Sequence, residues 1–172
     1  MKRLFYLTAL VFCMFTLNSC TKEEEVPEIM KFYVDGVLKD FSKKITIQEY
    51  DYGVFIIATS DNDERIKISL PKKGIKKYTE DDYNEMGSGV TKPNIEYKDS
   101  KGNYWTYYGE STYYKEDFIS IDVKKYDSLG EISGSFSGHL HGSWYNGSSV
   151  VDEISITSGE FSHEIETTSS TY

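Results

Sequence analysis

The chain carries 28 acidic and 19 basic residues among 172, a formal net charge of −9, which excludes a nucleic-acid partner because phosphates demand a basic face. Cysteine occurs only twice and histidine three times, too few for a disulfide framework or a zinc-thiolate site, so no cofactor is expected. Aromatic residues, by contrast, make up 15% of the chain, with 15 tyrosines among them.

The first predicted element is apolar. Lys2 and Arg3 precede a stretch from Leu4 to Leu17. Its length, about 14 residues, suits the hydrophobic region of a secretory signal and falls short of the roughly 20 that a spanning helix needs. The stretch closes on Leu17-Asn18-Ser19-Cys20, which resembles the bacterial lipobox, although Asn18 is bulkier than the residue usual at that place. The resemblance implies cleavage before Cys20 and acylation of its thiol. Each buried lipid methylene is worth about 0.8 kcal/mol, so two or three chains anchor a protein stably where one does not.

Thr21-Lys22-Glu23-Glu24-Glu25 follows at once, and is similar to the acidic export signal of surface-exposed Bacteroidetes lipoproteins. This implies an outer-membrane, lipid-anchored protein facing the extracellular medium. The divisions read as a signal peptide (1–19), an acidic tether (20–28), a single β-domain (29–166) and a polar tail (167–172). Cleavage removes Lys2 and Arg3, leaving 17 basic against 28 acidic residues, about −11. With that charge the lipid alone would contact the membrane.

From Ile29 onward the pattern has period two. Met30 to Val34, Asp35-Gly36 and Val37-Leu38 predict a hairpin, since Asp-Gly supplies two turn positions with positive φ. Lys44 to Glu49 alternates through Ile45 and Ile47. The denser run Val54-Phe55-Ile56-Ile57-Ala58 predicts a central strand buried on both sides. Arg65 to Leu70 alternates and stops at Pro71. Between Lys72 and Val90 only a weak strand near Ile75 and a short helical turn over Glu80 to Met86 are expected. Strands follow over Asn94 to Lys98, Asn103 to Tyr108, Asp117 to Tyr126, Glu131 to His141 and Ile154 to Ile165. No segment sustains helical periodicity over ten residues, which predicts an all-β fold: an antiparallel β-sandwich or open barrel of roughly 8–10 strands.

Val34-Asp35-Gly36, Ile132-Ser133-Gly134-Ser135-Phe136 and Thr157-Ser158-Gly159-Glu160-Phe161, taken with the lipobox, resemble a group of uncharacterised Bacteroidetes lipoprotein domains. The resemblance implies the fold and the location; the group has no assigned chemistry to carry over.

Three clusters are candidates for binding. Trp105 and Tyr107 share one strand face, and Trp144-Tyr145 form a second pair in a Gly/Ser-rich stretch. Exposed rings with polar edges are what a sugar stacks on, although tyrosine also packs ordinary sheets. His139 and His141 have the i, i+2 spacing of metal ligands on a strand; lying opposite Phe136 and Leu140, they are expected to face solvent, and two ligands fall short of a zinc site. Asp61-Asn62-Asp63-Glu64 gathers oxygens that calcium favours, but lacks the glycine and distal glutamate of a calcium loop and reads as hairpin chemistry. No nucleophile triad, metalloprotease helix or phosphate loop is present, so an enzyme is not expected. The leading expectation is a ligand-binding β-domain that captures a glycan or a protein. The alternative is a non-catalytic envelope structural or interaction lipoprotein.

Overall fold

The computed structural model describes residues 26–72, 74–87, 89–107, 109, 118–127, 130–142 and 153–165. Cys20, Trp144 and Tyr145 lie outside them. In chain order the elements are β1 (Ile29–Val34), β2 (Val37–Asp40), β3 (Ile45–Tyr50), β4 (Gly53–Thr59), β5 (Arg65–Leu70), β6 (Lys77–Thr79), α1 (Glu80–Glu85), β7 (Asn94–Lys98), β8 (Tyr104–Thr106), β9 (Phe118–Tyr126), β10 (Glu131–Gly142) and β11 (Glu153–Glu164). The first hairpin forms as its sequence requires, with φ of 48° at Asp35 and 79° at Gly36.

All the pairings are antiparallel, and the strands form one sheet in the order β2-β1-β11-β10-β8-β7-β5-β4-β3. Its two outermost strands, β2 and β3, are consecutive in the chain and separated only by residues 41–44. A sheet whose edges are tied so closely has to curl, and this one forms a half-barrel. β10 is the branch point. Its first two thirds pair with β9, which carries β6, while His141 and Gly142 pair with β8.

Alternation sorts the side chains onto two faces. Ile56, Ile68, Ile95 and Leu140 point inward with Phe32, Phe136 and Phe161, and all are buried. Phe32 is the hub, its ring 5.1 Å from that of Phe41, 5.8 Å from Phe136 and 6.1 Å from Tyr97. The half-barrel is filled by these side chains. The inner void lined by Val54, Leu70, Tyr78, Val123, Tyr126 and Ile132 has a volume of about 10 Å³, room for one water at most.

β4 departs from its expected place. It lies next to the edge strand β3, and of its apolar side chains Val54, Ile56 and Ala58 are buried, while Phe55 and Ile57 sit half-covered on the outer face. A dense apolar run carries the same composition whether its second face is packed or merely shielded by neighbouring side chains. That difference leaves Phe55 available outside.

Candidate functional site

Trp105 and Tyr107 are core residues, correcting the expectation of an exposed aromatic pair. They are 7% and 1% exposed. Register explains this: Trp105 stands opposite Tyr97 on β7 and Gly142 on β10, both inward-facing, so its ring packs 5.9 Å from Tyr97. Tyr107 has the same parity and meets Tyr83 edge-to-face at 5.0 Å. The shared face was legible; which side of the sheet it lined was not.

His139 and His141 do lie on the face opposite Phe136 and Leu140, but they are not solvent-facing. Their side chains are 18% and 4% exposed. β10 is flanked on both sides at this end, with Thr106 opposite His141 on one strand and Glu153 on the other. The two Nε2 atoms approach the two oxygens of the Glu153 carboxylate, at 3.5 Å from His139 and 3.0 Å from His141. Among the described residues no group of three or more His, Cys, Asp or Glu side chains is arranged to hold a metal ion.

The acidic loop between β4 and β5 is compensated by lysines. Lys44 reaches Asp61 at 2.9 Å and holds its carboxyl below the ordinary range. Burial pushes Glu64 upward, but hydrogen bonds from Lys39 at 2.6 Å and the Tyr97 hydroxyl at 2.9 Å outweigh it, so its carboxyl too lies below the usual value. Ser60 Oγ accepts from the backbone N–H groups of Asn62 and Glu64, which is turn chemistry.

Two exposed rings lie together elsewhere, on the outer face where β3 turns into β4, apart from the exposed Tyr33 and Phe118. Tyr50 and Tyr52 are 42% and 52% exposed. Their rings stack at 5.2 Å with an interplanar angle of 10°, and Phe55 sets its ring edge-to-face against both, at 5.7 Å and 6.3 Å. The tip is held from below. Thr91 N–H donates to the Tyr52 carbonyl at 3.2 Å, and Gly53 lies so close that a Cβ there would come within 2.3 Å of Thr91 Oγ1.

This aromatic platform continues across the sheet. Lys67 Nζ sits 4.9 Å from the Phe55 ring centre and pairs with Glu96 at 3.0 Å. Glu96 in turn accepts from the Tyr104 hydroxyl, whose ionisation is pushed upward by burial and by that carboxylate. Tyr50, Tyr52, Phe55, Lys67, Glu96 and Tyr104 thus form a ribbon over β3, β4, β5, β7 and β8. Four inter-strand spacings give it a span of roughly 19 Å. The signal that could have found part of it is parity: Tyr50 alternates against Ile45 and Ile47, whereas Phe55 lies in a run that is apolar on both faces.

No family model, curated protein or solved structure matches the chain.

Proposed function

We propose that the mature protein is a lipid-anchored bacterial surface protein, held in the outer membrane through an acylated Cys20 and facing the medium, whose β-domain is a non-catalytic binding module. The lipobox-like Leu17-Asn18-Ser19-Cys20 and the acidic cluster behind it support the anchoring. The observation that carries the binding reading is the exposed Tyr50–Tyr52–Phe55 platform, on the outside of a half-barrel whose interior is filled. Solvent-facing aromatic rings braced on a fixed backbone lose little conformational freedom when a ligand docks, which favours affinity. The second reading, a structural or interaction protein of the envelope, draws on the burial of Trp105 and Tyr107, which removes two of the rings first expected to bind.

The anchoring is tested by feeding cells an alkyne-tagged palmitate and then treating intact cells with a protease. The expected result is a labelled protein whose C-terminal tag is lost without lysis. An unlabelled protein, or a tag protected until lysis, would overturn it.

A further inference from the structure

We infer that the outer-face ribbon from Tyr50 to Tyr104 is the binding site, and that its ligand is an extended, uncharged polysaccharide chain; this rests on the binding reading above and names the ligand class. Three observations bear on the choice of occupant.

The first is area. At 42% and 52% exposure the two tyrosines offer roughly 200 Å². A stable protein interface takes about 800 Å² per partner, so the rings alone are too small for a protein and suit the flat apolar face of a pyranose.

The second is charge. The middle of the ribbon is charge-matched, Lys67 with Glu96 at 3.0 Å, as is the hairpin edge, Lys72 with Glu49 at 3.0 Å, while Arg65 and Lys98 stand in register beside Tyr104 at the far end. An anionic ligand on the platform would have to break one of the matched pairs and then face a strongly acidic chain. Neutral hydroxyls can instead bond to the remaining lone pairs and protons of Lys67, Glu96 and Tyr104 without displacing either partner.

The third is shape. Ring surface lies at one end and hydrogen-bonding groups at the other, over roughly 19 Å that crosses five strands. A single sugar would cover the platform only; a chain of several residues reaches from the stacked rings to Tyr104.

The test is native gel electrophoresis of the chain from Thr21 to Tyr172, the mature protein without its lipid-bearing Cys20, in gels cast with hydroxyethyl cellulose, galactomannan or polygalacturonate at matched concentration. The expected result is retardation in at least one neutral gel. Y50A and Y52A should each weaken it about tenfold or more, roughly 1.4 kcal/mol. Y52F, which keeps the ring, and Y33A, an exposed tyrosine on β1, should both retain it. Circular dichroism melts of the variants establish that they are folded.

Retardation by polygalacturonate alone, none in any neutral gel, or retardation unchanged in the folded Y50A/Y52A double variant would each overturn the assignment. Failure here with palmitate labelling and surface proteolysis intact removes the glycan and leaves the anchored protein standing. Loss of the label instead removes the anchoring reading and does not touch the ribbon.

Discussion

Tyrosine and tryptophan serve two ends in this chain, and burial separates them. Trp105 is covered by Tyr97 and fills core volume, so Trp105→Ala should cost about 3–5 kcal/mol, read as a lowered urea midpoint. Tyr52→Ala removes a half-exposed ring and should change stability by no more than about 0.5 kcal/mol. If the two variants lost stability equally, the division between core and platform would be wrong. Carboxylates supply a second residue-scale expectation. Asp40 is held low by hydrogen bonds from Ser42, Glu131 by Lys125, and Glu64 by Lys39 and Tyr97 against the opposing effect of burial. Each is easier to ionise folded than unfolded, so its contribution is complete above the unfolded value, near 4, and is lost as pH falls through the folded one. Urea midpoints should therefore stay level from pH 7 to 5 and drop below about pH 4, with a shallower drop in Glu64→Gln. A wild-type profile flat down to pH 3 would contradict this.

At the scale of elements, the pairing of β10 with β9 and β11 depends on two glycines. A Cβ on Gly134 would come within 2.3 Å of the Asp122 carbonyl oxygen, and one on Gly159 within 2.6 Å of the Phe136 ring. Backbone cannot yield as a ring can, so Gly134→Ala should be the worse of the two, at the upper end of the roughly 1–3 kcal/mol that overpacking costs. Thermal melts of both variants decide it; equal midpoints would mean that β9 shifts to accommodate the methyl. These glycines fall in the Ile-x-Gly-x-Phe and Thr-x-Gly-x-Phe strands already conspicuous in the sequence, as did the Asp35-Gly36 turn and the helical turn at Glu80–Glu85. Local elements were legible because period-two alternation and turn chemistry are written within a few residues. Strand order was not. That β10 would be shared by β11, β9 and β8 depends on contacts between residues far apart in the chain, and so does the side of the sheet that Trp105 faces. Tyr50 could be placed on the outer face by its alternation against Ile45 and Ile47, but Phe55 could not, because its run is apolar at every position, and the density of aromatics between Tyr97 and Tyr114 drew attention to the inward face of β8.

For the whole molecule, a closed interior and a decorated exterior divide the work. The half-barrel takes up its apolar side chains around Phe32, and the void between Val54, Tyr78 and Ile132 holds only about 10 Å³, which is why the proposed recognition is assigned to the outer face. β1 begins beside the corner that leads into β3, where Met30 N–H donates to Ser42 Oγ at 3.0 Å. The platform stands at the other end of that strand, roughly 17 Å along it. Substituting Cys20→Ser should abolish palmitate labelling and detach the protein from the membrane fraction without altering the ribbon. Anchoring and recognition meet in one measurement: flow cytometry of intact cells exposed to a fluorescent neutral polysaccharide, comparing wild type, Cys20→Ser and the Tyr50→Ala/Tyr52→Ala double variant. Labelled wild-type cells, with both variants at background, is the expected result. Double-variant cells as bright as wild type would contradict the assignment of the outer face as the place where this protein meets its ligand.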